Sequence, residues 1–281
     1  MASIFPRFPN GRAKALTLSY DDGVEQDIRL IDIMNRNGLK GTFNLNSGLY
    51  TPEGTVFPKG QIHRRMSAKR VGETYRESGQ EVAVHTLTHP FLEQLPVSMA
   101  AAEVLHDREN LENQFGTIVR GMAYPFGTYS DGVVEVLKSC GIVYSRTTCS
   151  TNRFDLPTDW LRLNPTCHHN SPELKSLAEK FVTDEVTRVP YLFYLWGHSY
   201  EFEARDNWQV IEEFAGYMGG RDTVWYATNI EIYDYMDAWH RLLFSADGRR
   251  VKNPTDRNIW FQHSDRIVEV DAGAMAEIGD R

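Results

Sequence analysis

From Ala13 to about Leu243 the chain alternates short β-forming runs with amphipathic stretches, and no other feature of the sequence constrains its fold as strongly. Strands and helices taking turns imply repeated βα units whose helices cover a parallel sheet, in an α/β barrel or a doubly wound sheet. The run Ala15-Leu16-Thr17-Leu18-Ser19-Tyr20 reads as a buried strand, and residues 27–37 carry apolar side chains at helical spacing up to the stop signal Asn37-Gly38. By the same criteria further strands are expected at 41–45, 81–84, 119–123, 143–149, 192–196 and 224–227. Helices are expected at 66–78, 98–114, 130–139, 172–182, 206–217 and 229–244. After Phe244 the pattern changes. Turn signals at Asp247-Gly248 and Asn253-Pro254, with β-like runs such as Ile259-Trp260-Phe261, predict a small antiparallel appendage packed on the barrel. The expected division is a barrel over residues 1–244 and an appendage over 245–281.

Single α/β barrels reach 281 residues, so length does not demand more domains, and no internal repeat is visible. Thirty Lys and Arg against thirty-eight Asp and Glu leave a charge of -8, which disfavours nucleic acid or anionic lipid as a partner. Cys140, Cys149 and Cys167 are odd in number and lack a C-x-x-C pairing, so neither a disulfide framework nor a zinc knuckle is indicated. The first residues, Met-Ala-Ser-Ile-Phe-Pro, lack the basic stretch and apolar run of a signal peptide. A cytoplasmic protein is therefore expected, unless its N-terminus was trimmed. The longest apolar stretch, around Val189 to Trp196, falls far short of the roughly 20 residues that span a membrane. The oligomeric state stays open, a homo-oligomer included.

Three segments at the ends of expected strands carry chemistry, as such ends do in α/β folds. They are Ser19-Tyr20-Asp21-Asp22-Gly23, His85-Thr86-Leu87-Thr88-His89-Pro90 and Tyr194-Leu195-Trp196-Gly197-His198-Ser199-Tyr200-Glu201. Taken singly, each has an ordinary explanation: a solvated turn or helix cap, a chance pair of histidines four apart, and a structural histidine. Taken together they supply one carboxylate and two imidazoles, the three protein ligands of a catalytic zinc site with an open position, and leave another acid and another base free. Two histidines four apart could share one face of a helical turn.

On these residues the chain resembles the polysaccharide deacetylases of carbohydrate esterase family four, which include chitin, peptidoglycan and acetylxylan deacetylases. The resemblance runs from about Ala13 to Trp239. The family's Thr-Phe-Asp-Asp-Gly is similar to Ser19-Tyr20-Asp21-Asp22-Gly23, and its His-Ser/Thr-x-x-His is matched by His85-Thr86-Leu87-Thr88-His89. The resemblance implies a distorted (β/α) barrel with fewer than eight regular strands. It also implies a general base at Asp21, one divalent ion on Asp22, His85 and His89, and a general acid at His198. The implied reaction removes acetyl from an N-acetylated or O-acetylated sugar by an activated water, without a covalent acyl-enzyme, which suits the absence of a G-x-S-x-G elbow. Zinc is the first expectation for the ion, and cobalt, manganese and nickel also accept such an N/O ligand set.

The third family motif, Arg-x-Pro-Tyr-Gly, departs here to Ala123-Tyr124-Pro125-Phe126-Gly127, so the arginine that tethers the base is missing. The Phe126 N–H can still serve an oxyanion, and Tyr124, Pro125, Phe126 and Trp196 are candidates for the substrate side. Arg146 could reach Asp21 from a neighbouring strand, or be an ordinary surface arginine. The fourth motif is faintly echoed by Asp155-Leu156-Pro157-Thr158-Asp159-Trp160, which leaves open the carboxylate that orients His198. Trp160, Trp196 and Tyr200 could stack on a sugar or pack the core. His168 and His169 are expected to point oppositely on an extended segment. His63, His106, His240 and His263 read as structural. Two other readings stand beside the deacetylase: an amidohydrolase of a small non-sugar amide, and a carbohydrate-binding protein on a deacetylase scaffold.

Overall fold

The computed structural model of the chain describes residues 4–278. Strand β1 (Ile4–Arg7) precedes β2 (Lys14–Asp21), whose residues are buried from end to end, Thr17 and Ser19 between the apolar ones included, as in a strand covered on both faces. Helix α1 (Asp27–Arg36) buries Leu30, Ile31, Ile33 and Met34 and stops at Asn37, where Gly38 takes a φ of 67°. The unit then repeats through β3 (Gly41–Leu45), α2 (Ala68–Tyr75), β4 (Glu81–Val84), α3 (Val97–Phe115), β5 (Gly121–Ala123), α4 (Asp131–Ser139) and β6 (Tyr144–Arg146). It continues with β7 (Cys167–His168), α5 (Leu174–Thr183), β8 (Tyr191–Gly197), α6 (Tyr200–Ala204), α7 (Gln209–Met218), β9 (Val224–Tyr226) and α8 (Asn229–His240).

These strands form one parallel sheet in the order β6-β5-β4-β3-β2-β8-β7, with β9 against the lower half of β2 beside β3. The sheet curls, and an irregular stretch closes it. Leu163 bridges Arg146 of β6, and three residues later Thr166 N–H donates to the Tyr194 carbonyl of β8 at 2.8 Å. This is the distorted barrel the resemblance implies, with β7 only two residues long and β9 only three. No described helix is long and apolar enough to cross a membrane.

The C-terminal part adds β10 (Leu243–Phe244), β11 (Arg250–Lys252), β12 (Ile259–His263), β13 (Arg266–Val270) and β14 (Met275–Glu277). They make two antiparallel sheets, β1-β12-β13 and β10-β11-β14. A cut after residue 244 therefore separates β10 from its partner β11 and β1 from β12. Phe261, Ile259 and Val251 share one buried cluster with Phe8, Tyr194 and, from α8, Ile232 and Tyr235. Several expected bounds shift. Helix α8 ends at His240 instead of running to Phe244, because Leu243 and Phe244 pair with Val251 and Lys252. The stretch expected as one helix over 206–217 begins only at Gln209, since Asp206 turns with φ 48°, and a short helix not expected from the sequence, α6, precedes it.

Candidate active site

The C-terminal end of β2 delivers the two adjacent carboxylates to different surroundings, because the chain turns sharply at Asp22 (φ 88°) and Gly23 (φ 66°). Asp21 is only 2% exposed. Asn44 Nδ2 on β3 donates to its Oδ1 at 2.8 Å, and Arg146 Nη2 donates to its Oδ2. His198 Nε2 and His85 Nε2 lie 3.8 Å and 4.0 Å from Oδ2. Burial pushes the Asp21 carboxyl up, but Arg146, His85 and His198 outweigh it and hold the group below the usual carboxylate range.

Arg146 does not come from a neighbouring strand. It stands on β6, four strands away along the sheet, and the curl brings it back across the barrel to Asp21. The side chain is fully buried, with its guanidinium 4.6 Å from the Trp196 ring centre. Trp196 is thus a packing partner of Arg146, and only 8% exposed.

Position 123, where the family motif has arginine, has another use here: the Ala123 carbonyl faces His85 Nδ1 at 2.8 Å. A carbonyl only accepts, so Nδ1 carries the proton and Nε2 keeps a free lone pair, the tautomer a metal ligand needs. Burial lowers the His85 pKa to about 4, and His89 is lowered for the same reason, so both rings are neutral near pH 7. The two histidines do not share a helical turn. Thr86 and His89 have φ of 67° and 60°, Thr86 Oγ1 accepts the His89 N–H at 3.1 Å, and this tight loop sets the rings edge to face with centres 4.8 Å apart. Asp107 of α3 anchors the loop by accepting from the backbone N–H groups of His85 (3.1 Å) and Ser47 (2.7 Å). Burial pushes its carboxyl up to about 7. One ligand atom from each of Asp22, His85 and His89 lies within 4.8 Å of the others, and this compact oxygen-and-imidazole set fits a borderline divalent cation.

The end of β8 supplies His198. Its Nδ1 meets Glu201 Oε1 at 2.8 Å, which turns Nε2 toward Asp21. Burial lowers the ring's pKa, but the bond to Glu201 and the charges of Asp21 and Asp22 win, so His198 stays protonated above the usual histidine range. Glu201 fills the place left open in the sequence. Asp155 pairs instead with Arg153, and Asp159 with Arg162.

His168 and His169 both turn to Glu201, contrary to the expected alternation, because the strand ends between them and His169 begins a turn. Their Nε2 atoms lie 3.5 Å and 3.3 Å from Glu201 Oε2, and Asn170 Nδ2 donates to the same oxygen at 2.7 Å. His168, His198 and Glu201 are spaced closely enough to suggest a second ion site. However, Asn170 N–H donates to His168 Nδ1 at 3.1 Å, which puts the neutral ring's proton on the Nε2 facing Glu201. The group is a carboxylate ringed by donors. His169 lies against β8 because position 197 is glycine: a Cβ there would be 2.0 Å from its Nδ1.

The remaining candidates separate. Phe126 is half exposed, and its ring stands 4.6 Å from that of His89 and stacks on Phe91. Tyr124 turns away into the core, where its hydroxyl donates to the Leu161 carbonyl at 2.8 Å, and Pro125 is buried. Tyr200 is beside the site, 5.3 Å from the His198 ring, whereas Trp160 packs on Tyr233 of α8. His63, read as structural, reaches Asp22 Oδ2 at 3.1 Å. Asn44, His63, Arg65 and Asp107 gave no signal in the sequence. Glu201 did, being three residues after His198 at the start of a helix.

An α/β barrel with a carboxylate and imidazole centre at the C-terminal ends of its strands is the class these observations define. Residues 9–145, just under half of the chain, match the polysaccharide deacetylase family. An uncharacterized protein of Streptomyces coelicolor is 28% identical over 125 residues, which cover 44% of this chain and 44% of that protein. The chain therefore spans less than half the length of that relative. A crystal structure from Mycobacterium smegmatis, assigned as a polysaccharide deacetylase, superposes with a TM-score of 0.59 at 16% identity, over 84% of this chain and 94% of that one. The Xyl-CE4 domain of a multidomain xylanase from the hindgut metagenome of Trinervitermes trinervoides gives 0.51 at 15% identity, over 80% and 92%. At these identities the likeness is one of fold.

Proposed function

We propose that this protein is a metal-dependent hydrolase that removes acetyl groups from an N-acetylated or O-acetylated sugar or oligosaccharide, with zinc the first choice of ion. The observation that carries the reading is the position of Asp21, between His85 of the ligand set (4.0 Å) and His198 (3.8 Å). A base flanked by an ion ligand and by an acid brings together the three groups that hydrolysis by activated water needs. Asp22, His85 and His89 would hold the ion. When bound, it supplies Lewis-acid polarisation of the acetyl carbonyl and lowers the pKa of water.

The chain's own groups do the rest. Asp21, kept ionised by Arg146, takes a proton from the attacking water. The Phe126 N–H offers a donor to the oxygen that becomes negative. His198, kept protonated by Glu201, gives its Nε2 proton to the departing nitrogen or oxygen. Glu201 cannot serve as the donor itself: burial pushes its carboxyl up, but the bonds to His168, His169 and His198 outweigh it and hold the group far below the usual range. Acetate release over a panel of N- and O-acetylated mono- and oligosaccharides tests the proposal. Release from at least one sugar substrate is expected. No release from any of them, alongside turnover of small non-sugar amides, would replace it with the amidohydrolase reading.

A further inference from the structure

Residues 62–66 lie antiparallel to the stretch that follows Asp22. Glu25 N–H donates to the Arg64 carbonyl at 2.9 Å, Met66 N–H to the Gly23 carbonyl at 3.0 Å, and Gln26 Nε2 to the Ile62 carbonyl at 2.7 Å. Arg64 pins the segment from outside by binding Glu25 at 2.6 Å and both oxygens of Glu203 at 2.8 and 2.9 Å. In an extended segment, residues two apart share a face, so His63 and Arg65 point the same way. Both reach the ligand carboxylate. Arg65 Nη2 donates to Asp22 Oδ1 at 2.9 Å, while its Nη1 donates to the Asp22 carbonyl at 2.7 Å and to Asn46 Oδ1 at 2.8 Å. His63 Nε2 donates to Asp22 Oδ2 at 3.1 Å, with its ring held edge-on to Tyr200 at 4.8 Å. Each Asp22 oxygen thus has one donor supplied from this segment.

We propose that His63 and Arg65 are positioning residues for the ion ligand, an outer shell that fixes the plane of the Asp22 carboxylate and decides which lone pairs remain for a cation. The proposal rests on the reading that Asp22, His85 and His89 hold a divalent ion. His63 does not belong to the three-residue group whose ligand atoms lie within 4.8 Å of one another, so its part is to orient the ligand. Arg65 grips backbone and side chain of one residue with two nitrogens, a geometry that a single ammonium cannot reproduce. Loss of outer-shell partners of this kind costs about 10–100-fold in ion affinity.

The test is a titration of the metal-stripped, full-length protein with Co²⁺ in the absence of any sugar, read by visible absorption and by competition with a chelator. His63→Ala and Arg65→Ala are expected to weaken binding by at least about tenfold. His63→Gln, which keeps an N–H donor, should recover most of the loss, and Arg65→Lys should recover only part. If Arg65→Ala does not fold, the Lys variant carries that arm. Binding within twofold of wild type for both His63→Ala and Arg65→Lys would overturn the proposal. So would a His63→Ala change confined to KM for the sugar, which would make His63 a substrate contact. His85→Ala in the same titration separates the two levels. If it binds cobalt as wild type does, the ion reading itself fails; if it alone loses the ion, only the outer-shell proposal fails.

Discussion

At the scale of single residues, the proposed base and the proposed acid each have a partner that opposes burial. Asp21 has Arg146 and His198 has Glu201, and the two pairs push in opposite directions: the carboxyl below its usual range, the imidazole above. A base lowered in this way is active above its pKa, and an acid raised in this way is active below its own. Activity should therefore form a broad bell whose descending limb lies above the ordinary histidine range. Glu201→Gln removes the anion and leaves burial unopposed by it, so the His198 pKa falls and the descending limb moves to lower pH. The check is kcat/KM against pH for both proteins on the same sugar. A descending limb that stays in place would mean another group controls it. His198→Ala should cost about 10²–10⁴-fold on an N-acetyl sugar and far less on an aryl acetate, whose leaving group needs little protonation.

At the scale of elements, what the sequence made legible was whatever a strand or helix encodes by itself. β2 and β8 are buried from end to end or nearly so, as the continuous apolar run of β8 and the β-forming residues of β2 suggested. The segments at their C-terminal ends could be read for the same reason. What escaped was set by turns and by the curl. The loop from His85 to His89 takes positive φ at two residues without glycine, which no periodicity shows. Arg146 faces Asp21 only because the sheet bends round, and His63 and Arg65 meet Asp22 through a segment with no regular pattern of its own. Gly197 ties an element to the site. Gly197→Ala would drive a Cβ into His169, which packs between Tyr20 and Phe202 and cannot easily yield. Overpacking of this kind costs about 1–3 kcal/mol. Thermal unfolding should show that loss, with a fall in kcat as Glu201 is displaced. Unchanged Tm and kcat would mean the ring has room that the geometry denies.

At the scale of the whole molecule, the antiparallel sheets close the lower side of the fold. β1 pairs with β12, so the first and last described parts of the chain hold each other, and both rest on α8. Val251, Ile259, Phe261, Val270 and Ile278 are each at most 2% exposed. At about 1.5–3 kcal/mol for each buried side chain, losing them approaches or exceeds a typical total stability of about 5–15 kcal/mol. Removal of residues 245–281 should leave a chain that is insoluble or lacks a cooperative thermal transition. A truncated protein that melts like the full chain would show that the barrel stands alone. The match to the deacetylase family ends at residue 145, before His198, so the whole account depends on the second half of the barrel completing a centre begun in the first. One measurement tests that centre most directly: acetate release from an acetylated sugar by protein stripped of metal, then reloaded with one equivalent of zinc. Activity should vanish on stripping and return on reloading in wild type, but not in His85→Ala. Full activity in the metal-free protein would contradict the account.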